Sequence, residues 1–190
     1  MKIKRNFSKK QFLKNNKLVN GWIHIDSISS AKIMAANSFN SICIDLQHGM
    51  FDFEKCRDLM QVIANNNVFP IVRVANNDIG IINKALDAGA YGIICPLIND
   101  REDCKKFIDS CYYPPKGKRS FGPTLASIDA DNYFRQANTR ILSIIMIETK
   151  ESVINLEDIL KNKELDMLYI GPYDLSISYG VSPEKVFKNK

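Results

Sequence analysis

The sequence predicts an α/β barrel of parallel strands, because short β-branched, apolar runs alternate with stretches of helical periodicity along the chain. The runs are nearly continuous in Val and Ile, as strands covered on both faces require. Each run also ends on a polar residue. A β/α barrel gathers the C-terminal ends of its strands at one mouth, so residues distant in sequence are expected to converge there.

The first segment is basic, with Lys2, Lys4, Arg5, Lys9, Lys10, Lys14 and Lys17, and reads as a solvated helix face. Six candidate strands follow, at 21–25, 41–46, 70–74, 92–97, 141–147 and 167–170. Between them, Asp52 is placed to cap a helix whose stripe is Phe53, Cys56, Leu59, Met60 and Ile63, spaced by three or four. Asp78 is placed to cap 79–88, which Gly89 terminates. Helices at 101–111 and 152–160 follow strands four and five. The one long loop is 112–123, rich in Pro, Gly and Lys, with a helix at 128–138 after it, and Ser182-Pro183-Glu184 marks a further helix start.

With 190 residues, 45% hydrophobic and 25% charged, the chain reads as one globular domain spanning 1–190. A complete eightfold barrel takes about 250 residues, so this TIM-type (β/α)8 barrel is expected to be C-terminally incomplete, two strands short. Two accounts stay open: a truncated barrel, or a short form whose open edge a partner covers. No apolar run approaches the roughly 20 residues of a membrane helix. The basic start lacks the apolar core of a secretory signal, so a cytoplasmic protein without membrane partners is expected. Cys43, Cys56, Cys95, Cys104 and Cys111 have no Cys-x-x-Cys spacing and read as reduced core thiols. His24 and His48 show no metal-ligand pairing with them. Net charge +5 suits an anionic metabolite. A nucleic-acid partner is not expected, since aromatic residues do not interleave with the cations.

Glu148 and Asp174 stand just past the last two strand runs, one strand-and-helix unit apart. Two carboxylates at adjacent strand ends make a hard oxygen site for Mg²⁺ or Mn²⁺ with positions left for substrate and water. The competing role for each is capping the helix that follows. His48, flanked by Gly49 past a strand, suits a general base or a structural hydrogen bond. Asp45 is an acid that could orient it, and His24, inside the first run, is expected to pack or bond locally. Arg73 in a buried run requires an anion, either a substrate oxyanion, favoured by its place near a strand end, or an internal carboxylate. Asp87 falls at a helix end where the macrodipole disfavours it, which invites a specific partner. The cations of 112–123 could wall a pocket for an acidic substrate or form a surface loop, without P-loop spacing.

Asp-Leu-Gln-His-Gly at 45–49, Val-Arg-Val at 72–74, Leu-Asp-Ala-Gly-Ala at 86–90, the Tyr-Pro-Pro-x-Gly-x-Arg-Ser loop, Ile-Glu-Thr at 147–149 and Gly-Pro-x-Asp-Leu-Ser at 171–176 occur in order. In these six motifs the chain resembles the HpcH/HpaI aldolases, class II pyruvate aldolases that include 4-hydroxy-2-oxoheptanedioate aldolase and 2-dehydro-3-deoxyglucarate aldolase. The resemblance implies a homo-oligomeric lyase that reversibly cleaves a 4-hydroxy-2-oxo acid to pyruvate and an aldehyde through a metal-stabilised enolate. It implies that Glu148 and Asp174 bind a divalent ion, Mg²⁺ or Mn²⁺ with Co²⁺ as a further option, which chelates pyruvate. Backbone amides near Gly171, Tyr173 and Asp174 would hold the pyruvate carboxylate. Arg73 would sit on the keto oxygen, and His48, oriented by an acid such as Asp87, would serve proton transfers through water.

Two features depart from that pattern. Met146 stands where some members carry glutamine, and the two further strands and subunit-exchanged C-terminal helix of the family are not in this chain. The alternative reading is therefore a truncated, non-catalytic barrel acting as a metal- or oxo-acid-binding or assembly subunit. Cleavage of a citryl or malyl thioester is a third, for which no coenzyme A pocket is legible and which the Gln-His-Gly motif disfavours.

Overall fold

The computed structural model describes residues 8–14, 17–128, 130 and 132–188. Lys2, Lys4 and Arg5 lie outside the described residues, as do Asp129 and Asp131 of the helix expected at 128–138. Six strands, β1 Asn20–Ile23, β2 Ser41–Asp45, β3 Phe69–Arg73, β4 Gly92–Cys95, β5 Leu142–Ile147 and β6 Met167–Ile170, form one sheet. They pair in sequence order and all in parallel. The sheet curls into a half-barrel, so Trp22 of β1 meets Tyr169 of β6 inside it, ring centroids 5.3 Å apart.

The helices are α1 Lys9–Lys14, α2 Ile28–Ala35, α3 Phe53–Asn65, α4 Ile79–Asp87, α5 Arg101–Cys111, α6 Tyr133–Arg140, α7 Lys150–Ile154, α8 Leu156–Ile159 and α9 Pro172–Ser178. Asp52, Asp78 and Asp100 each accept a backbone N–H three residues on and so start α3, α4 and α5. Gly89 ends α4 with φ +110°, a conformation glycine adopts without a Cβ penalty. The helix expected at 152–160 breaks at Asn155 into α7 and α8, and a Thr149–Ser152 capping box starts it earlier. The helix after the long loop shifts to Tyr133–Arg140. At 183–185 there is one 3₁₀ turn. Helix α2 has a weak sequence signal because it buries only Ala31 and Ala35.

Side chains of opposite parity fill two cores, as strand pleating dictates. Ile42, Ile44, Val72 and Ile93 pack outward against Leu59, Ile63, Ile82, Leu86 and Phe107 of the helices. Cys43, Ile71, Ile94, Leu142, Ile144 and Met146 point into the barrel. Fully burying one such Ile contributes about 1.5–3 kcal/mol. The basic first segment is not only a solvated face: Phe12 of α1 lies against Phe69 inside the barrel, with centroids 4.5 Å apart. Lys9 pairs with Asp166 at 2.7 Å, so α1 covers the barrel floor. All five cysteines are free and buried. Among the described residues no helix is long and apolar enough to cross a membrane.

Candidate active site at the barrel mouth

Strand β2 delivers Asp45 to the mouth, where its side chain is 0% exposed. The neighbouring strand end carries Arg73, whose Nε donates to Asp45 Oδ1 at 2.9 Å and whose second terminal nitrogen, NH2, donates to Oδ2. Of the two partners expected for Arg73, the internal carboxylate holds two of its nitrogens. Among the described residues its NH1 meets only the Met146 thioether, 3.9 Å away, a weak acceptor. Trp22 Nε1 also donates to Asp45 Oδ2 at 3.1 Å, and its ring lies 4.9 Å from the guanidinium. Burial pushes the Asp45 carboxyl up, but the donors from Arg73 and Trp22 outweigh it and hold the pKa at about 2.

Asp45 Oδ1 further accepts the backbone N–H groups of Gln47 at 2.9 Å and His48 at 3.2 Å. The Gly49 N–H returns to the Asp45 carbonyl at 3.1 Å. A Cβ at residue 49 would collide with that carbonyl oxygen, so this turn demands glycine. Asp45 thus orients the loop that carries His48 through its backbone, while the His48 side chain stands exposed. The imidazole that Asp45 does bind is His24, its Nε2 2.8 Å from Oδ2. β1 ends at Ile23, so His24 lies at a strand end and not inside the strand.

Across the mouth, β5 delivers Glu148, 3% exposed, whose Oε1 accepts the Leu97 N–H at 2.7 Å. Leu97 holds that N–H in place from a left-handed conformation, φ +54°, a local strain of the kind found at functional sites. Burial raises the Glu148 pKa; the Leu97 N–H lowers it, the Asp174 charge raises it, and Arg73 and His48 lower it. All four groups are therefore within electrostatic reach of one carboxylate. Neither acid caps a helix. Thr149 caps α7, and Asp174 sits exposed in the first turn of α9, whose cap position is Gly171 without a side-chain bond.

Gly171 passes so close to Glu148 that a Cβ would stand 2.9 Å from Oε2. Its own N–H is donated to Ile147 O at 3.1 Å, which leaves the Tyr173 and Asp174 amides as the first-turn donors without intrahelical acceptors. Asp87 does not join this mouth. It ends α4 five residues before β4 begins, at the floor, where Arg119 donates to its Oδ1 at 2.6 Å. The partner its helix-end position invites is thus Arg119, and within one chain Asp87 does not orient His48. The cations of the 112–123 loop are likewise held at the floor: Lys118 on Asp109, Lys116 near Glu164 and Arg119 on Asp87. They do not wall the mouth.

Trp22 and the Leu97 N–H carry no expectation from the sequence, and His24 is expected there only to pack or bond locally. For His24 the signal is a polar residue closing an apolar run, but the expected strand at 21–25 extends two residues past the observed end at Ile23. The Leu97 N–H has no sequence signal, because it is a backbone group.

Fold and mouth together define a β/α-barrel protein whose strand ends place two electrostatically coupled carboxylates opposite an arginine. The profile of the HpcH/HpaI aldolase/citrate lyase family matches residues 20–189. The chain is 35% identical over 164 residues to a hydroxypyruvate/pyruvate aldolase from Rhizorhabdus wittichii, covering 86% of this chain and 65% of that protein. It is 31% identical over 163 residues to a 4-hydroxy-2-oxo-heptane-1,7-dioate aldolase from Shigella flexneri, covering 84% and 61%. A solved HpcH/HpaI aldolase/citrate lyase family protein from Burkholderia cenocepacia superposes with TM-score 0.85 at 26% identity, covering 92% of this chain and 72% of that one. The chain belongs to the HpcH/HpaI aldolase/citrate lyase family, and it spans less than two thirds of the length of the two aldolases named here.

Proposed function

We propose that the chain carries the active site of a divalent-metal-dependent pyruvate aldolase, a carbon–carbon lyase that reversibly cleaves a 4-hydroxy-2-oxo acid to pyruvate and an aldehyde. One observation carries this reading: a buried Glu148, within electrostatic reach of Asp174, faces an arginine whose NH1 meets, among the described residues, nothing stronger than a thioether. The names of the two aldolases above support the reaction class.

The donor set fits Mg²⁺ or Mn²⁺, and Co²⁺ less closely. Two hard carboxylates at adjacent strand ends leave the other positions to substrate and water. Among the described residues no group of three or more His, Cys, Asp or Glu makes a closed cage. Glu148 and Asp174 would hold the ion. When bound, it would polarise the keto oxygen and offset the negative charge left by carbon–carbon cleavage.

The protein's own groups account for the remaining steps. Arg73 NH1 donates to the keto oxygen, with the guanidinium held by Asp45 so that no reorganisation is needed as charge develops. The Tyr173 and Asp174 amides hold the substrate carboxylate, and Gly171, lacking a side chain, lets the backbone approach. His48, exposed at the mouth, relays the proton of the substrate hydroxyl through water. Asp87 serves as the counter-charge of Arg119 at the floor. A cytoplasmic homo-oligomer that covers the open β6 edge, acting on small molecules and not on nucleic acid, completes the proposal.

Pyruvate release assayed with Mg²⁺, Mn²⁺ or Co²⁺, and again with chelator, tests the reading. Activity insensitive to chelation or to Glu148→Gln excludes it. A second reading is the alternative stated above, a non-catalytic metal- or oxo-acid-binding or assembly subunit. A chain that melts cooperatively, binds Mn²⁺ and turns over no oxo acid would establish that reading instead.

A further inference from the structure

One buried side chain joins the two sides of the mouth. Met146, in β5, is 2% exposed and belongs to the inner core with Cys43, Ile71 and Ile144. Its thioether sulfur lies 3.9 Å from Arg73 NH1, on the β2–β3 side. Its methyl carbon lies 3.2 Å from the point where a Cβ at residue 171 would stand, and Glu148 Oε2 lies 2.9 Å from the same point. A single side chain thus runs from the guanidinium to the surroundings of the acid.

Packing alone does not select this residue. Leu142 and Ile144, on the same face of β5, are branched hydrocarbons that fill the interior below it. At position 146 the interior also holds one edge of a charged group. Asp45 takes Nε and NH2 of Arg73, so NH1 is the edge that has no anion among the described residues. A branched hydrocarbon there would give that edge no acceptor, and an amide would give it a strong one. Methionine lies between the two, an unbranched, polarisable side chain that packs against the guanidinium and accepts only weakly. The NH1 edge is supported, and its N–H donors are not tied up.

We propose that Met146 is a positioning residue for Arg73, a weakly accepting seat that fixes the NH1 edge and leaves its donors to the keto oxygen of the substrate. The proposal rests on the aldolase reading above and adds to it the residue that keeps the guanidinium available. Its effect falls on the step in which that oxygen becomes negative. A donor already engaged by a strong acceptor stabilises the developing charge less, and the difference is felt in the transition state more than in the bound ground state.

The test replaces the seat by a strong acceptor and by a non-acceptor of similar volume. In Met146→Gln the side-chain amide oxygen takes an NH1 hydrogen, and kcat for pyruvate release with Mg²⁺ falls about tenfold with KM little changed. Met146→Leu, an apolar exchange that cores tolerate, keeps kcat close to that of the wild type. Equal losses in the two variants, which a residue that only fills space would give, overturn the seat. So does an unchanged kcat in Met146→Gln. Oxalate, an unreactive anion shaped like the pyruvate enolate, supplies a readout without turnover: measured by calorimetry with Mg²⁺, its Kd rises about tenfold in Met146→Gln and holds in Met146→Leu. Should glutamine abolish the cooperative urea transition, guanidinium ¹⁵N spectra of the wild type and Met146→Leu decide. The Arg73 NH1 resonance moves in both when Mg²⁺ and oxalate are added, and a resonance that stays in place overturns the seat. A wild-type chain that binds oxalate without turnover overturns only the aldolase reading. An active chain in which Met146→Gln matches the wild type overturns only the seat, and a chain that neither binds oxalate nor turns over overturns both.

Discussion

The two sides of the barrel mouth are built on opposite principles. On the β2–β3 side, Asp45 is saturated with donors and Arg73 has two nitrogens bound, so the charges are balanced inside the chain. On the β5–β6 side, Glu148 accepts one backbone N–H and lies near a second carboxylate, and among the described residues no cation forms an ion pair with either. The difference teaches which side holds and which side binds: a balanced cluster positions its members, and two coupled carboxylates call for a positive partner from outside.

The sharpest way to break this comparison is to remove one charge from each side. Asp45→Asn strips the counter-charge from a buried guanidinium and the acceptor from two loop amides. It is expected to destabilise the fold by about 3–5 kcal/mol, read as a lower urea midpoint. Glu148→Gln is expected to do the reverse in kind. Burial and Asp174 disfavour the Glu148 charge, so stability is held or raised, while pyruvate release falls on the order of a hundredfold or more. If both variants lose stability equally, the two sides are not distinct.

The pH dependence of stability sharpens the comparison by sign. The Asp45 pKa is lowered in the fold from 3.8 to about 2, so its contribution is present above about pH 4 and is lost as pH falls towards 2. The Glu148 pKa is raised from 4.5, so the folded chain binds the proton more tightly and stability from this group declines as pH rises above 4.5. Urea midpoints measured against pH should lose their acid-side slope in Asp45→Asn and the opposing slope in Glu148→Gln. The smallest effect is expected one residue past the acid: Thr149→Ala removes a helix cap and the hydroxyl that donates to Asn99 Oδ1, together worth about 2 kcal/mol in the melt, with little change in turnover.

Much of this architecture was legible in the residues. Strand β6 matches its expected bounds, and caps at Asp52 and Asp78 were read from short-range spacing, because caps and apolar periodicity are decided within a few residues. Glu148 and Asp174 were legible as strand-end acids for the same reason. Which partner Arg73 takes is left open by the sequence, because the nearness of Asp45 depends on the β2–β3 register that sets residue 45 beside residue 73.

Linear order and local pattern were enough to establish the parallel β/α class, the strand count and the polar residues that end the runs. They did not reveal that Asp45 binds His24, Trp22 and Arg73 together, that Asp87 belongs to Arg119 at the floor, or that a strained Leu97 amide holds Glu148. Those contacts join groups some 20 to 50 positions apart. They come into being when the sheet curls and its register brings separate strand ends within hydrogen-bond reach.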